Sequence, residues 1–120
     1  MAFTSLKQQI KNIGELKFGW TTFTISFKKA LSSEGEACLG LTDFDKLEIH
    51  LDDSMKENAL RVTLLHEILH VVFSTMGLRA EDEDSSAELK TTNEFIVEST
   101  TRGLLLLREL NPELWNLIYD

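Results

Sequence analysis

His66 and His70 stand four residues apart, with Glu67 next to the first of them, in the run Thr63-Leu64-Leu65-His66-Glu67-Ile68-Leu69-His70. On an α-helix that spacing puts the two imidazoles on one face, a turn apart, where both can ligate a single metal ion. Glu67 then lies beside the pair, placed to take a proton from a water that the metal activates rather than to bind the metal itself. Two histidine ligands and a carboxylate base are the parts of a hydrolytic zinc centre. The sequence therefore predicts zinc on His66 and His70 and a general base at Glu67.

Zinc sites that do chemistry take three protein ligands and leave one position for water, so a further ligand must come from elsewhere in the chain. A ligand six residues past the second histidine would fall at Met76, which excludes that arrangement. Two sources remain. His50 is the one other histidine, in a stretch where Leu47, Ile49 and Leu51 alternate with Glu48 and His50; its phase also fits an ordinary surface residue. Glu94 and Glu98 fall one turn apart on a predicted helix. Like charges at that spacing repel by roughly 0.2–0.5 kcal/mol, which a neighbouring cation would relieve, although two solvated glutamates on a helix surface would look the same.

These side chains need elements to position them. Leu6, Ile10 and Ile13 at helical spacing, followed by Gly14, predict a short helix over 4–13. Phe23, Ile25 and Phe27 alternate with Thr and Ser, which predicts a half-buried strand over 20–27. A loop over 32–36, a short strand over 37–41 and a strand over 47–51 follow. Asp52, Asp53 and Ser54 offer helix caps, after which a helix runs to about Met76 and stops at Gly77. Leu60, Leu64, Leu65, Ile68, Leu69, Val71 and Val72 make that helix apolar on most of its circumference, as in a helix buried in a core. Two histidines and a glutamate buried there would cost several kcal/mol, roughly, without polar partners, and a metal cleft supplies such partners. A second helix is predicted over 86–110 with Gly103 as a weak point, and Asn111-Pro112 starts a last short helix carrying Leu114, Trp115 and Ile118. The whole reads as one α+β domain over 1–120: a small, mostly antiparallel sheet packed on the motif helix and on a second, glutamate-bearing helix.

Composition bounds the function classes. With 120 residues and 42% apolar content, the chain can build a real core. A formal charge of −8 and no cluster of Lys and Arg exclude nucleic acid as an expected partner. The acidic run Glu81-Asp82-Glu83-Asp84 reads as a solvated loop. Lys7, Lys11, Glu15 and Lys17 interrupt the first twenty residues, so neither a signal peptide nor a membrane span is expected, and a cytoplasmic location is. Cys38, the one cysteine, cannot make an internal disulfide, which fits a reducing setting.

The motif His66-Glu67-Ile68-Leu69-His70, followed by Asn93-Glu94 and then Glu98, resembles the gluzincins, the thermolysin-like class of zinc peptidases. The resemblance implies Glu94 as third zinc ligand and Glu98 as a carboxylate that orients and strengthens a ligating histidine. The class normally has Asp at that last position. More closely, residues 47–117, with Leu107-Arg108-Glu109-Leu110-Asn111-Pro112-Glu113-Leu114, are similar to small metallopeptidases encoded by phages and prophages. That similarity leaves the N-terminal third uncovered. It implies a minimal zincin: a sheet whose edge strand borders the cleft, the motif helix, and a helix bearing the glutamate, acting in the cytoplasm of a bacterial host.

The expected function is a zinc-dependent endopeptidase on a peptide or protein substrate, held as an added strand along the sheet edge at residues 47–51. Tyr119 and His50 are the two residues outside the motif that could donate to the oxyanion. The alternative is a non-catalytic zinc-binding module, such as a phage structural or assembly component. Glu67 distinguishes them, because a structural zinc site has no need of a base.

Overall fold

The computed structural model describes residues 4–77 and 93–119. Ser5 accepts a hydrogen bond from the Gln8 backbone N–H at one end of the first helix, and Gly14 closes the other end in the left-handed region at φ 72°. Between them α1, Leu6–Ile13, buries Leu6 and Ile10. The chain then forms a strand that periodicity does not predict, β1 at Glu15–Phe18, with Leu16 and Phe18 wholly buried. Gly19, at φ 64°, turns it into β2, Thr21–Lys28, whose Phe23 and Ile25 point into the core. Trp20 is left outside in that turn.

After β2 the chain makes a small hairpin of β3, Ser32–Ser33, and β4, Glu36–Ala37, in place of the expected loop. It returns as β5, Gly40–Asp43, turns, and enters the sheet as β6, Glu48–Asp52. The sheet order is β1-β2-β6-β5, antiparallel at both outer pairings and parallel between β2 and β6. The sheet is therefore mixed. The parallel pair arises because β5 is laid down one place too far out, and β6 folds back into the gap it leaves beside β2. The expected edge strand over 47–51 is accordingly the interior strand β6, with Ile49 and Leu51 wholly buried, and the edges are β1 and β5.

The motif helix, α2, spans Glu57–Thr75 and buries Leu60, Leu64, Ile68, Val71 and Val72 in the core between the sheet and the other helices. Lys56 stands at its N-cap without a side-chain bond, so none of the expected caps serves. Asp52 is engaged elsewhere: its carboxylate accepts the backbone N–H of Leu31 at 2.8 Å, the backbone N–H of Ser54 at 3.2 Å and the Ser54 hydroxyl. Asp53 pairs with Lys7 on α1.

Two further helices, α3 at Asn93–Leu110 and α4 at Pro112–Tyr119, complete the described residues. The expected earlier part of the second helix, 86–92, and the acidic run 81–84 lie outside them. Gly103, expected as a weak point, is also a point of close contact: a Cβ there would stand 2.6 Å from Val72 Cγ1, so a larger residue would force Val72 or α3 to shift. Asn111 accepts the first backbone bond of α4 from Trp115, while its side chain takes the N–H of Lys17 at 2.8 Å and donates to the Lys17 carbonyl at 2.6 Å. The side-chain amide thus bonds β1 as a neighbouring strand would. No helix among the described residues is long and apolar enough to cross a membrane.

Gly103→Ala separates helix propensity from packing. Alanine should favour an isolated helix by about 1 kcal/mol, but the clash with Val72 should dominate at about 1–3 kcal/mol. Urea unfolding is expected to show net destabilisation; a stabilised variant would contradict the close helix contact. Asp52 predicts a pH dependence. The Ser54 hydroxyl, then the N–H groups of Leu31 and Ser54, hold its carboxyl below the usual aspartate range. Its stabilising contribution is therefore complete above the ordinary value of about 3.9, and it is lost as pH falls through the lower folded value. The drop in Tm from about pH 5 downwards should be smaller for Asp52→Asn than for the wild type.

Candidate metal centre

α2 sorts its polar residues between two sides. Its apolar stripe is taken up by the sheet, which leaves His66 turned outward, its side chain 65% exposed, and Glu67 turned inward, 5% exposed. His70 follows one turn later, and its Nε2 lies 3.2 Å from Nε2 of His66. The two rings meet edge to face, with centroids 4.8 Å apart. Two imidazole nitrogens bound to one tetrahedral zinc at 2.0–2.1 Å would lie about 3.3 Å apart, so the pair fits one ion.

Glu67 lies on the sheet side of this pair. Its Oε2 is 4.0 Å from His66 Nε2, and its Oε1 accepts the Thr42 hydroxyl of β5 at 2.7 Å. Candidate donor atoms of His66, Glu67 and His70 all lie within 4.8 Å of one another, the one such group of His, Cys, Asp or Glu among the described residues. Imidazole and carboxylate together suit several divalent metals, so the donor set defines a candidate metal site and not the identity of its ion.

The strand beside Glu67 is held unusually close. A Cβ at Gly40 would fall 2.8 Å from Thr63 Cγ2 and 2.9 Å from both Cγ and Oε2 of Glu67. Asp52 N–H bonds to the Leu39 carbonyl at the end of the β5–β6 ladder. The antiparallel alternation then points the main-chain groups of Leu41 and Asp43 at β6 and those of Gly40 and Thr42 to the open edge. Glu67 therefore sits under an edge strand. Neither Gly40 nor Thr42 was singled out from sequence; a glycine inside a strand pattern, a sign of close approach, was the available signal.

None of the other predicted site residues whose side chains are described belongs to this group. His50 shares a sheet face with Ser26, its register partner, opposite to that of Ile49 and Leu51, which pack towards α2. Its ring bridges Ser26 Oγ at 3.1 Å and Glu48 Oε1 at 3.0 Å. Tyr119, 70% exposed, stacks on Trp115 at the end of α4. Glu98 pairs with Arg102 at 2.7 Å on the surface of α3. Glu94 belongs to the first turn of α3, but its side chain lies outside the described residues. No protein-family model, curated protein or solved structure matches the chain.

Gly40→Ala tests the approach of β5 to α2. The added methyl must displace Thr63, Glu67 or the strand itself, and overpacking of this kind costs about 1–3 kcal/mol. A lowered urea midpoint at unchanged m-value is expected; a variant as stable as wild type would mean that the strand does not press on Glu67.

Proposed function

We propose that this protein is a zinc-dependent peptidase of minimal zincin-like build, with His66, His70 and Glu94 as ligands and Glu67 as general base. The observation that carries the reading is the pairing of two imidazole nitrogens 3.2 Å apart with a buried carboxylate 4.0 Å from one of them. Glu67 is kept at that distance by a bond from a different element, as a base poised beside a metal requires. Bound zinc would polarise the scissile carbonyl and lower the pKa of a bound water towards ~7. His66 and His70 would hold it from the exposed face of α2. Glu67 accepts the proton of the attacking water and returns it to the leaving amine. The outward main-chain groups of Gly40 and Thr42 offer an extended peptide a strand to pair with, in the role the sequence assigned to residues 47–51. Glu98 retains its proposed role of supporting a ligating histidine, which requires it to exchange Arg102 for that partner.

A second reading, a zinc-binding module without turnover, such as a phage assembly component, is favoured by one observation. Among the described residues neither Tyr119 nor His50 stands beside Glu67 as an oxyanion donor.

Elemental mass spectrometry should find one zinc per chain, lost in His66→Ala and reduced far more by Glu94→Ala than by His50→Ala; the reverse ranking would move the third-ligand role to His50. Glu67→Gln should retain zinc while hydrolysis of unfolded casein falls by roughly 10²–10⁴-fold. Zinc binding with no hydrolysis even in the wild type would favour the non-catalytic module, and the absence of zinc would remove both readings.

A further inference from the structure

Nothing in the identity of Glu67 decides whether its carboxylate serves as base or as ligand. It offers an oxygen within 4.8 Å of donor nitrogens on both histidines, close enough for the three side chains to hold an ion together. Its Oε2 nevertheless stands at 4.0 Å from His66 Nε2, wider than the 3.2 Å between the two imidazole nitrogens. The cause of that offset lies on β5. Oε1 is taken by the Thr42 hydroxyl at 2.7 Å, a length at which the proton is committed to the carboxylate rather than to the Glu67 carbonyl at 3.4 Å. The Gly40 backbone closes the strand side, where even a methyl group would touch Glu67. With Glu67 5% exposed, little water can stand in for the hydroxyl.

We infer that Thr42 is a positioning residue that fixes the role of Glu67: its hydroxyl holds the carboxylate back from the metal and so keeps it a base. This rests on the metal reading of His66 and His70 but not on peptidase activity. Without the hydroxyl, a buried anionic oxygen loses its donor, and the nearest compensating charge is the cation on the two histidines. The carboxylate then turns towards the metal, and zinc binds more tightly because the site has gained a ligand.

The test is a double-mutant cycle read as the zinc dissociation constant of the metal-free protein by calorimetry, with zinc alone as ligand. Thr42→Val should tighten zinc by roughly tenfold, the scale of a lost hydrogen bond to a charged group. Thr42→Ser, which keeps the hydroxyl, should bind zinc as wild type does. In a Glu67→Gln background, where no carboxylate can swing, Thr42→Val should change nothing. Equal or weaker binding by Thr42→Val, or the same tightening in the Glu67→Gln background, overturns the inference and leaves the metal site standing. No zinc bound by wild type overturns the metal site and the inference together.

Discussion

A carboxylate on the inner side of a buried helix must be met by a donor, and how Glu67 is met organises the rest of this structure. The donor is a hydroxyl on a strand, so β5 has to lie directly on α2. Gly40 makes that approach possible two residues before Thr42, on the same face of the strand. Within the described sheet β5 pairs with β6 alone, and β6 is the strand whose Ile49 and Leu51 fill the core below α2. One hydrogen bond thus depends on the register of an edge strand, the burial of an interior one and the absence of one side chain.

The two edges of the sheet are treated differently. An open edge is a liability because its unpaired N–H and C=O groups can recruit another chain. On β1 the outward groups of Lys17 are taken by the side chain of Asn111, at the junction of α3 and α4. On β5 the outward groups of Gly40 and Thr42 have no such partner among the described residues. The edge left available is the one above Glu67, which is why the proposed peptide is placed there and not along β1.

Local pattern carried much of this into view, and non-local pairing did not. The helical spacing of Leu6 and Ile10, the alternation around Phe23 and Ile49, and the apolar circumference of α2 each reflect burial of one face, which periodicity encodes directly. β1 is too short for that signal, four residues between two turning glycines. The alternation over 47–51 identifies a buried face but cannot count the strand's neighbours, so an interior strand was read as an edge. Asp52 has the chemistry of a cap, yet its oxygens are drawn to Ser54 two residues on and to Leu31, a partner that only the fold brings near. Gly103 looks like a weak point because its partner, Val72, lies thirty-one positions away. Within the candidate site, His66, Glu67 and His70 are legible because one helix carries all three. Thr42 and Gly40 were not, because their relation to Glu67 exists only across the sheet–helix interface.

The division of α2 into an outward pair of imidazoles and an inward carboxylate has an energetic consequence. Histidines at the surface lose little solvation on folding. Glu67 loses most of its hydration on folding, and a single hydroxyl returns only part of it. A cation on the histidines would stand close to that carboxylate and attract it. Its binding would therefore offset a cost already built into the metal-free fold, coupling occupancy of the site to the contact between β5 and α2. The strand that presses on Glu67 would then also be the element whose seating a bound cation reinforces.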